Sequence, residues 1–443
     1  MNVITYFRNN NLKRFLLYIF IAVIVALIGF VLPYSSSFYV GDKVTKIYFA
    51  DHISDVYQKV IDEFNEKYKG KIQVIPVHLP FEKFTTNERK ELLTRYLRSK
   101  SDRIDVFAVD QIWVPRFAKW GTPFESIPNK FAVDSLLSAA LKSCVYNGQL
   151  VAAPLYIDVG LMYYRKDLIR QLKNPDKLEQ DLMRSLTWDE FIQLHTRNQN
   201  SNKPFYVFQA DDYEGLVCIF LEMLAGQNKQ LYENGKLQLN SPQAKHALKL
   251  LVDLVHTYHM SPSVVSSFRD RTSDLFYMEN NGLFLRGWPS FLRDVKIDFR
   301  NSENISNLGI APLPHFKGNK PVALLGGWNL MISKYSSKKE ESMEFIKFLL
   351  SKTTQQRLYR EGHYLPVNQN VYADSLIQKK DNNLKFFFGL INSGVCRPAL
   401  ENYTKISDVI SYYLYLAIKK ELSVETALDK ATEMINSGKV LIR

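Results

Sequence analysis

Cysteine is scarce in this chain of 443 residues, which contains only three. The first of them is Cys144, so none lies near the N-terminus where a lipid could be attached, and three cysteines form no disulfide framework. Cys218 lies within the apolar run LVCIFLEML, where a buried structural thiol is commoner than a reactive one. We therefore expect neither a lipoprotein nor a fold held by disulfides.

Short catalytic and nucleotide-binding motifs are also missing. The sequence has no Walker phosphate loop, no dinucleotide glycine fingerprint, no HExxH and no GxSxG. The eight histidines show no metal-ligand spacing beyond His256 and His259, a pair that lies more often on the rim of an amphipathic helix than around a metal. We expect no enzymatic activity, no cofactor and no metal.

Positive charge is in excess, but it is not concentrated anywhere. The formal net charge of +12 falls to +9 when Arg8, Lys13 and Arg14 are left out, and the remaining charges of both signs are interspersed. This pattern disfavours a nucleic-acid partner. It is typical of a solvated surface with a mild attraction for anionic lipid head groups.

Only one apolar run is long enough to suggest a membrane segment. Residues 15–32 contain no charge and follow three basic residues, which predicts a transmembrane anchor over 15–34 with residues 1–14 in the cytoplasm. A cleaved signal peptide is the alternative, although only Ser35 to Ser37 resemble a cleavage site. We expect a retained anchor and a domain outside the membrane, either periplasmic or on the cell surface.

Apolar residues are plentiful in the rest of the chain. Hydrophobic residues make up 46% of the sequence and aromatic residues 13%, which is enough for a large core, and the length of the chain predicts two globular lobes. The apolar spacing predicts a βαβαβ unit near the start, with Asp55, followed by Gln58, as the N-cap of its first helix. The predicted strands cover 47–50, 72–77 and 104–109, and the second helix covers 89–99.

Acidic residues directly follow two of these strands. Asp51 comes after the first and Asp110 after the third. Parallel units bind ligands beyond the carboxyl ends of their strands, so we expect both carboxylates to face one crevice, although either could be a helix cap. The middle of the chain is mainly helical, with start signals at Thr187 and Ser241.

Aromatic residues stand beside glycine or proline at several segment ends, in YIDVG, RGWP and GGWN. Sugars need this combination with carboxylates, because the apolar face of a pyranose packs on an aromatic ring while its hydroxyls bind charged acceptors. Core packing is the alternative for each tryptophan taken singly. Gly327 before Trp328 lacks side-chain bulk, however, and suits close approach by a ligand.

Ordered motifs from about residue 46 to residue 437 carry a resemblance to a known family. The sequence is similar to the family 1 extracellular solute-binding proteins, which capture carbohydrates for ATP-binding cassette (ABC) importers, and most similar to their trehalose/maltose-binding group. The motifs are FNEKYKGKIQV, LRSKSDRIDVFAVDQIWVPRFAKWG, YNGQLVAAPLYIDVGLMYYRKDL, LTWDEF, VFQADDYEGLVC, GLFLRGWP, LGIAPLP, LGGWNLMIS, EFIKFLLS and GHYLPV.

The resemblance implies a periplasmic-binding-protein-like α/β fold of two lobes, with three chain crossings and a sugar in the cleft between them. The first lobe is then expected over residues 44–154 and 310–365, and the second over 155–309 and 366–443. The implied partners are a di- or oligosaccharide of the maltose or trehalose type and the permease subunits of an ABC transporter. We expect a monomer.

The same motifs imply the site residues. Asp110 and Asp158 would accept sugar hydroxyls, aromatic rings would stack on the sugar, and arginines would donate. Asp51 and Asp55 are alternatives for the acidic contact after the first strand, and Ala210 replaces a glycine often found in its motif. The full set of expected ligand-binding residues is Asp51, Asp55, Arg89, Asp110, Tyr156, Asp158, Trp288, Gly327, Trp328 and Arg397.

Two other functions stay open at this stage. An anchored protein could present a sugar-dependent surface to a receptor instead of feeding a transporter, although the sequence has no signalling domain. A glycoside hydrolase would use a pair of carboxylates, but no carboxylate here has a recognisable acid or nucleophile context.

Overall fold

The structure is a computed structural model, and it describes residues 15, 17–24, 44–80, 86–100, 103–128, 131–198, 203–299 and 303–438. The predicted anchor over residues 15–34 lies largely outside this part of the chain. Within the described residues, no helix is both long and apolar enough to cross a membrane. Retention of the anchor therefore stays a prediction.

The strands are short and are distributed along the whole described chain. In chain order they are β1 (Thr45–Asp51), β2 (Ile72–His78), β3 (Val106–Asp110), β4 (Val145–Tyr146), β5 (Gln149–Leu150), β6 (Ala153–Val159), β7 (Leu161–Arg165), β8 (Tyr206–Val207), β9 (Tyr232–Glu233), β10 (Lys236–Leu237), β11 (Phe284–Gly287), β12 (Leu308–Ala311), β13 (Leu324–Ile332) and β14 (Val395–Cys396).

Helices alternate with these strands and cover the sheets. They are α1 (Asp55–Lys67), α2 (Thr86–Arg98), α3 (Val114–Phe117), α4 (Ser138–Leu141), α5 (Lys166–Ile169), α6 (Pro175–Arg184), α7 (Trp188–Thr196), α8 (Glu214–Ala225), α9 (Pro242–His256), α10 (Asp270–Glu279), α11 (Ser290–Asp298), α12 (Lys339–Leu350), α13 (Lys352–Gly362), α14 (Gln369–Tyr372), α15 (Ser375–Lys380), α16 (Asn383–Ser393), α17 (Tyr403–Ile418) and α18 (Val424–Asn436).

The predicted βαβαβ unit at the start of the chain is confirmed. Strand β1 pairs in parallel with β2 on one side and with β3 on the other. Helix α1 buries Val56, Val60 and Phe64 against the core, as the four-residue spacing predicts. Its N-cap is Ser54 and not Asp55, because the Ser54 side chain accepts a hydrogen bond from a backbone N–H of the first turn.

The predicted helix starts at Thr187 and Ser241 are confirmed. Thr187 caps α7 in a capping box with Glu190, and Ser241 caps α9. The run GLFLRGWPSFL, whose apolar residues predict a strand, contains both a strand and the start of a helix. Strand β11 ends at Gly287, and Ser290 begins helix α11 beyond the proline.

Two sheets define the two lobes. The sheet of the first lobe has the order β2-β1-β3-β13-β6, with β14 also paired to β13, and the sheet of the second lobe has the order β12-β7-β11-β8. Strand β13 runs antiparallel to β3 and β6 and parallel to β14. Because β6 pairs along most of one edge of β13, β3 and β14 must share the other edge, one after the other.

The chain changes sheet at three places that lie next to one another. The first is Gly160, between β6 and β7, whose N–H donates to the carbonyl of Leu324 at the start of β13 (3.0 Å). The second is the proline-containing segment 312–323. The third follows Cys396, since β14 still belongs to the first sheet whereas α17 packs on α8 of the second lobe.

These positions correct the expected lobe boundaries. The expected change at 154–155 falls inside β6, which stays in the first sheet as far as Val159. The expected change at 309–310 falls inside β12, and that at 365–366 comes about thirty residues too early, because β14 still returns to β13. Sequence motifs do not show which sheet a strand joins, and this explains the errors.

Candidate functional site

Asp51 ends β1 and is paired with a buried arginine. Its carboxylate accepts a hydrogen bond from Arg89 of α2 (3.0 Å) and one from the backbone N–H of His52 (2.7 Å). Burial raises the pKa of Asp51 to about 6, although the charge of Arg89 opposes the shift. Asp55 lies exposed on the first turn of α1, so Asp51 is the better placed of the two alternatives.

Asp110 ends β3 and caps a turn, which is the alternative role considered for it, while its contact with a ligand stays a prediction. Its Oδ1 caps the short turn 111–113 by accepting the N–H of Ile112 (3.1 Å), and it also accepts a hydrogen bond from Arg397 (2.8 Å). Burial raises the pKa of Asp110, while the charge of Arg397 lowers it. No described residue donates a hydrogen bond to Oδ2 of Asp110, so this oxygen can still accept one.

Asp158 differs from Asp51 and Asp110, because no described residue forms a hydrogen bond or an ion pair with its carboxylate. It lies within β6, where it can cap no helix, and Arg165 pairs with Asp167 instead (2.7 Å). Burial raises the pKa of Asp158 to about 7; Arg293 opposes the shift and Asp110 adds to it. The carboxylate of Asp158 therefore neither caps a helix nor pairs with Arg165.

A row of tyrosines lies beside these acids. The ring centroids of Tyr156 and Tyr364 are 4.9 Å apart, as are those of Tyr57 and Tyr364. Arg293 of α11, in the second lobe, lies over Tyr364 at 5.0 Å. Tyr364 belongs to the motif GHYLPV, which identifies the segment but does not show that this tyrosine lies at the site. Nothing in the sequence around Tyr57 or Arg293 predicted that these two residues would lie here.

The two tryptophans expected to contact a sugar lie in different surroundings. Trp328 is 8% exposed, packs edge-on against Trp113 (5.9 Å) and lies 4.3 Å from the Arg89 guanidinium. Trp288 is half-buried and lies over Arg286 at 4.1 Å. Core packing accounts for most of the surface of Trp328, whereas Trp288 keeps more surface accessible.

Arg286 supports Trp288 from beneath through a buried ion pair. Its guanidinium is fully buried and donates to both carboxylate oxygens of Glu222 (2.7 and 3.2 Å). Gly160 packs directly on this pair, since a Cβ there would lie only 1.9 Å from a Glu222 oxygen. The ion pair therefore links the position of Trp288 to the first crossing between the lobes.

Gly326 lies between Asp158 and the Trp288 ring, whereas Gly327 lies against the backbone of β6. A Cβ on Gly326 would lie 3.3 Å from the Cβ of Asp158 and 3.5 Å from the Trp288 ring. Gly327 has a φ of +133°, and a Cβ there would lie 2.4 Å from the carbonyl oxygen of Tyr156. Strand pairing accounts for the glycine at 327, and its place beside a ligand stays a prediction.

Arg397 lies between the lobes, directly after β14. One terminal nitrogen donates to Asp110 of the first lobe (2.8 Å) and the other to Glu214 of the second (2.8 Å). Burial alone would lower the pKa of Arg397, but the two carboxylates raise it well above its ordinary value. Arg397 was expected to donate to a sugar, and in the structure both of its terminal nitrogens donate within the protein.

The register of β13 with its neighbours β3 and β6 explains why the acids and aromatic rings of the first lobe lie together. Trp328 in β13 stands opposite Asp110 on one side and Tyr156 on the other, and Gly326 stands opposite Asp158. The described cavities, of about 20 and 740 Å³, lie in the second lobe, and none of the expected site residues lines them. The candidate site is the interlobe contact itself, formed by acids and aromatic rings from the first lobe and by Trp288 and Arg293 from the second.

Two lobes joined by three adjacent crossings, with polar and aromatic side chains between them, define a binding protein that encloses its ligand. The family profile of the bacterial extracellular solute-binding proteins matches residues 50–356, so the chain belongs to this family. This confirms the predicted family and the two-lobed fold.

Individual relatives agree with this membership. A probable ABC transporter-binding protein of Deinococcus radiodurans is 27% identical over 382 residues, which cover 84% of this chain and 88% of that protein. The maltose-bound MalE3 structure from T. maritima has a TM-score of 0.78 and 27% identity, and the match covers 89% of this chain and 100% of that one. The GacH receptor of Streptomyces glaucescens, at 20% identity and a TM-score of 0.76 over 89% of this chain and 98% of that one, supports the fold alone.

Proposed function

We propose that this chain captures a di- or oligosaccharide between its lobes, outside the cytoplasm, and delivers it to the permease of an ABC importer. The observation that carries the proposal is Asp158, a mostly buried carboxylate that no described residue pairs with. It lies beside Tyr156 in the same strand and close to Trp288 across Gly326. A sugar would supply what this carboxylate lacks, because its hydroxyls donate while its apolar face packs on a ring.

Relatives support this ligand class. The T. maritima structure is described as maltose-bound, and a 24% identical relative from Bacillus subtilis, matched over 52% of both chains, is named a maltodextrin-binding protein. The group within the family, and with it a ligand of the maltose or trehalose type, belongs to the proposal. No bond is made or broken in this role.

Contacts of the sugar with both lobes provide the binding energy and favour closure. A sugar that contacts Asp158 from the first lobe and Trp288 from the second stabilises the arrangement in which both surround it, which shifts the population towards closure. Micromolar affinity needs about 8 kcal/mol of net binding free energy. Several charge-assisted hydrogen bonds and one or two ring contacts are of this order.

The anchor over residues 15–34 belongs to the same proposal, since a capture protein held at the membrane stays close to its permease. The mature chain is then expected in the membrane fraction with its N-terminus intact. N-terminal sequencing that finds a start near Ser36 or Ser37 would instead show a processed signal.

Thermal-shift screening of the full chain in detergent tests the sugar proposal. Maltose, trehalose and maltotriose are the main probes, with mannitol as a non-cyclic control. A ligand that binds only the folded state must raise the melting temperature. We expect at least one of the three sugars to do so, and no shift with any of them would reject the proposed ligand class.

A further inference from the structure

Glu214 has been given no role in the site so far, yet its carboxylate lies near the cleft and accepts several hydrogen bonds from side chains. It is the first residue of α8. One oxygen accepts hydrogen bonds from Arg397 (2.8 Å) and from the Tyr403 hydroxyl (2.9 Å), and the other accepts one from the Ser407 hydroxyl. Its position at a helix N-terminus adds a favourable interaction with the helix dipole.

The contacts of Glu214 lead to the other lobe through a single side chain. Tyr403 and Ser407 belong to α17, which packs on α8 within the second lobe. Arg397 instead reaches Asp110 at the end of β3, in the first lobe (2.8 Å). The interlobe tie, defined as Asp110, Arg397 and Glu214, is therefore a continuous chain of charge-assisted hydrogen bonds between the lobes.

Each carboxylate of the interlobe tie restricts the position of the other through Arg397. The Arg397 side chain is only 4% exposed, so its charge depends on both carboxylates for compensation. Glu214 holds one terminal nitrogen and thereby sets the direction of the other, which is bonded to Oδ1 of Asp110. The Asp110 carboxylate is then fixed with its second oxygen unused by the described residues.

We infer that Glu214 is a positioning residue: through Arg397 it orients the Asp110 carboxylate for the ligand and holds the lobes together before any ligand is bound. The effect on affinity rests on the sugar capture proposed above, whereas the effect on the lobes does not. A preformed interlobe tie lowers the cost of closure, since less of the population has to shift when the ligand arrives.

Glu214→Gln tests this in the full chain in detergent, because glutamine keeps the shape but removes the charge. We expect the dissociation constant for maltotriose, measured by calorimetry, to rise about tenfold, within the usual range of coupling between sites. In the ligand-free protein, hydrogen exchange should rise not only in α8 but also in peptides that cover β3 and residues 111–113, which Glu214 does not touch. Asp110→Asn should produce the reciprocal rise in peptides of α8.

Two matched controls separate positioning from local structure. Tyr403→Phe removes a donor to the same Glu214 oxygen but leaves the interlobe tie, so β3 should exchange as in the wild type. Glu190→Gln changes another first-turn carboxylate of the second lobe, one that binds only Thr187 among the contacts of the described residues, and should change neither readout.

The outcomes are distinguishable. Unchanged affinity, or increased exchange confined to α8 and α17 in Glu214→Gln, would overturn the inference and make Glu214 a local anchor of α17. If the wild type binds none of the screening sugars, the proposed function fails, but the exchange of β3 in the ligand-free variants still decides the role of Glu214. If Glu214→Gln does not fold, Asp110→Asn tests the interlobe tie from its other end.

Discussion

The two lobes contribute to the cleft in different ways. The first wall, formed by Asp51, Asp110, Tyr156, Asp158 and Trp328, consists of residues at strand ends or within paired strands. The second wall, formed by Glu214, Trp288 and Arg293, comes from the first turns of two helices and the loop after β11. One wall is fixed by backbone pairing, the other by side-chain contacts.

This difference shows where a ligand is needed. In the first wall Asp51 and Asp110 each have an arginine partner, but Asp158 has none among the described residues. In the second wall the charges are compensated, Arg293 by Asp294 (2.8 Å) and Glu214 by Arg397. Among the acids of the first wall, unmet hydrogen-bonding capacity thus remains on the Asp158 carboxylate and on Oδ2 of Asp110, and the second wall supplies the surface that closes over them.

The largest expected effect compares one tryptophan from each wall. Trp328→Ala should cost about 3–5 kcal/mol of unfolding free energy, because it removes a nearly buried ring that packs on Trp113 and Arg89. Trp288→Ala should cost little stability but about 2 kcal/mol of sugar binding. Chemical denaturation and calorimetry on both variants check this.

That expectation replaces the sequence-based view of Trp328 as mainly a ligand contact. If Trp328→Ala melted normally and lost its sugar, the ring would belong to the site after all. The contrast between the walls would then disappear.

The next effect concerns the acids within the first wall. Asp158→Asn should not lower the melting temperature of the ligand-free protein, but it should weaken sugar binding by roughly 2–4 kcal/mol, because an acceptor is replaced by a donor that faces hydroxyl donors. Asp51→Asn is the matched comparison, and it should lower the melting temperature, since Arg89 is left buried without its carboxylate. A variant of Asp158 that melts several degrees lower yet binds normally would show that its carboxylate is scaffolding.

The smallest effect is a pH dependence. The pKa of Asp158 is raised to about 7 in the folded state, so between the ordinary value of 3.8 and about 7 the folded protein binds a proton that the unfolded chain does not. Folding stability of the ligand-free protein should therefore fall as the pH rises through this window. Asp51, with a pKa of about 6, contributes in the same direction.

Comparison with Asp158→Asn isolates this residue. Free energies of unfolding measured at intervals between about pH 5 and 8 should show a shallower decline in the variant than in the wild type. Parallel curves would mean that the Asp158 carboxylate is solvated in the ligand-free protein. The first wall would then have no desolvated, unpaired acid.

The family and the opening βαβαβ unit were predicted from the sequence alone and are confirmed, and most residues of the first wall were expected from it as site residues. Asp51 and Asp110 could be placed because parallel strands end at one edge of a sheet, and this rule needs only the apolar pattern and the residue that follows it. Asp158 and Trp288 came from motifs. The same local logic correctly predicted the caps at Thr187 and Ser241, whose hydrogen bonds reach only a few residues along the chain.

Tertiary structure decided what depends on distant partners. The backbone reason for glycine at 327 rests on how closely β6 approaches β13, and the use of Arg397 within the protein rests on Asp110 and Glu214, which lie 287 and 183 residues away in the sequence. Tyr57, Tyr364 and Arg293 meet for the same reason. Hydrogen bonds and ring contacts of this kind depend on distance in space, which no local spacing of residues encodes, and so the second wall became visible only once the lobes were packed together.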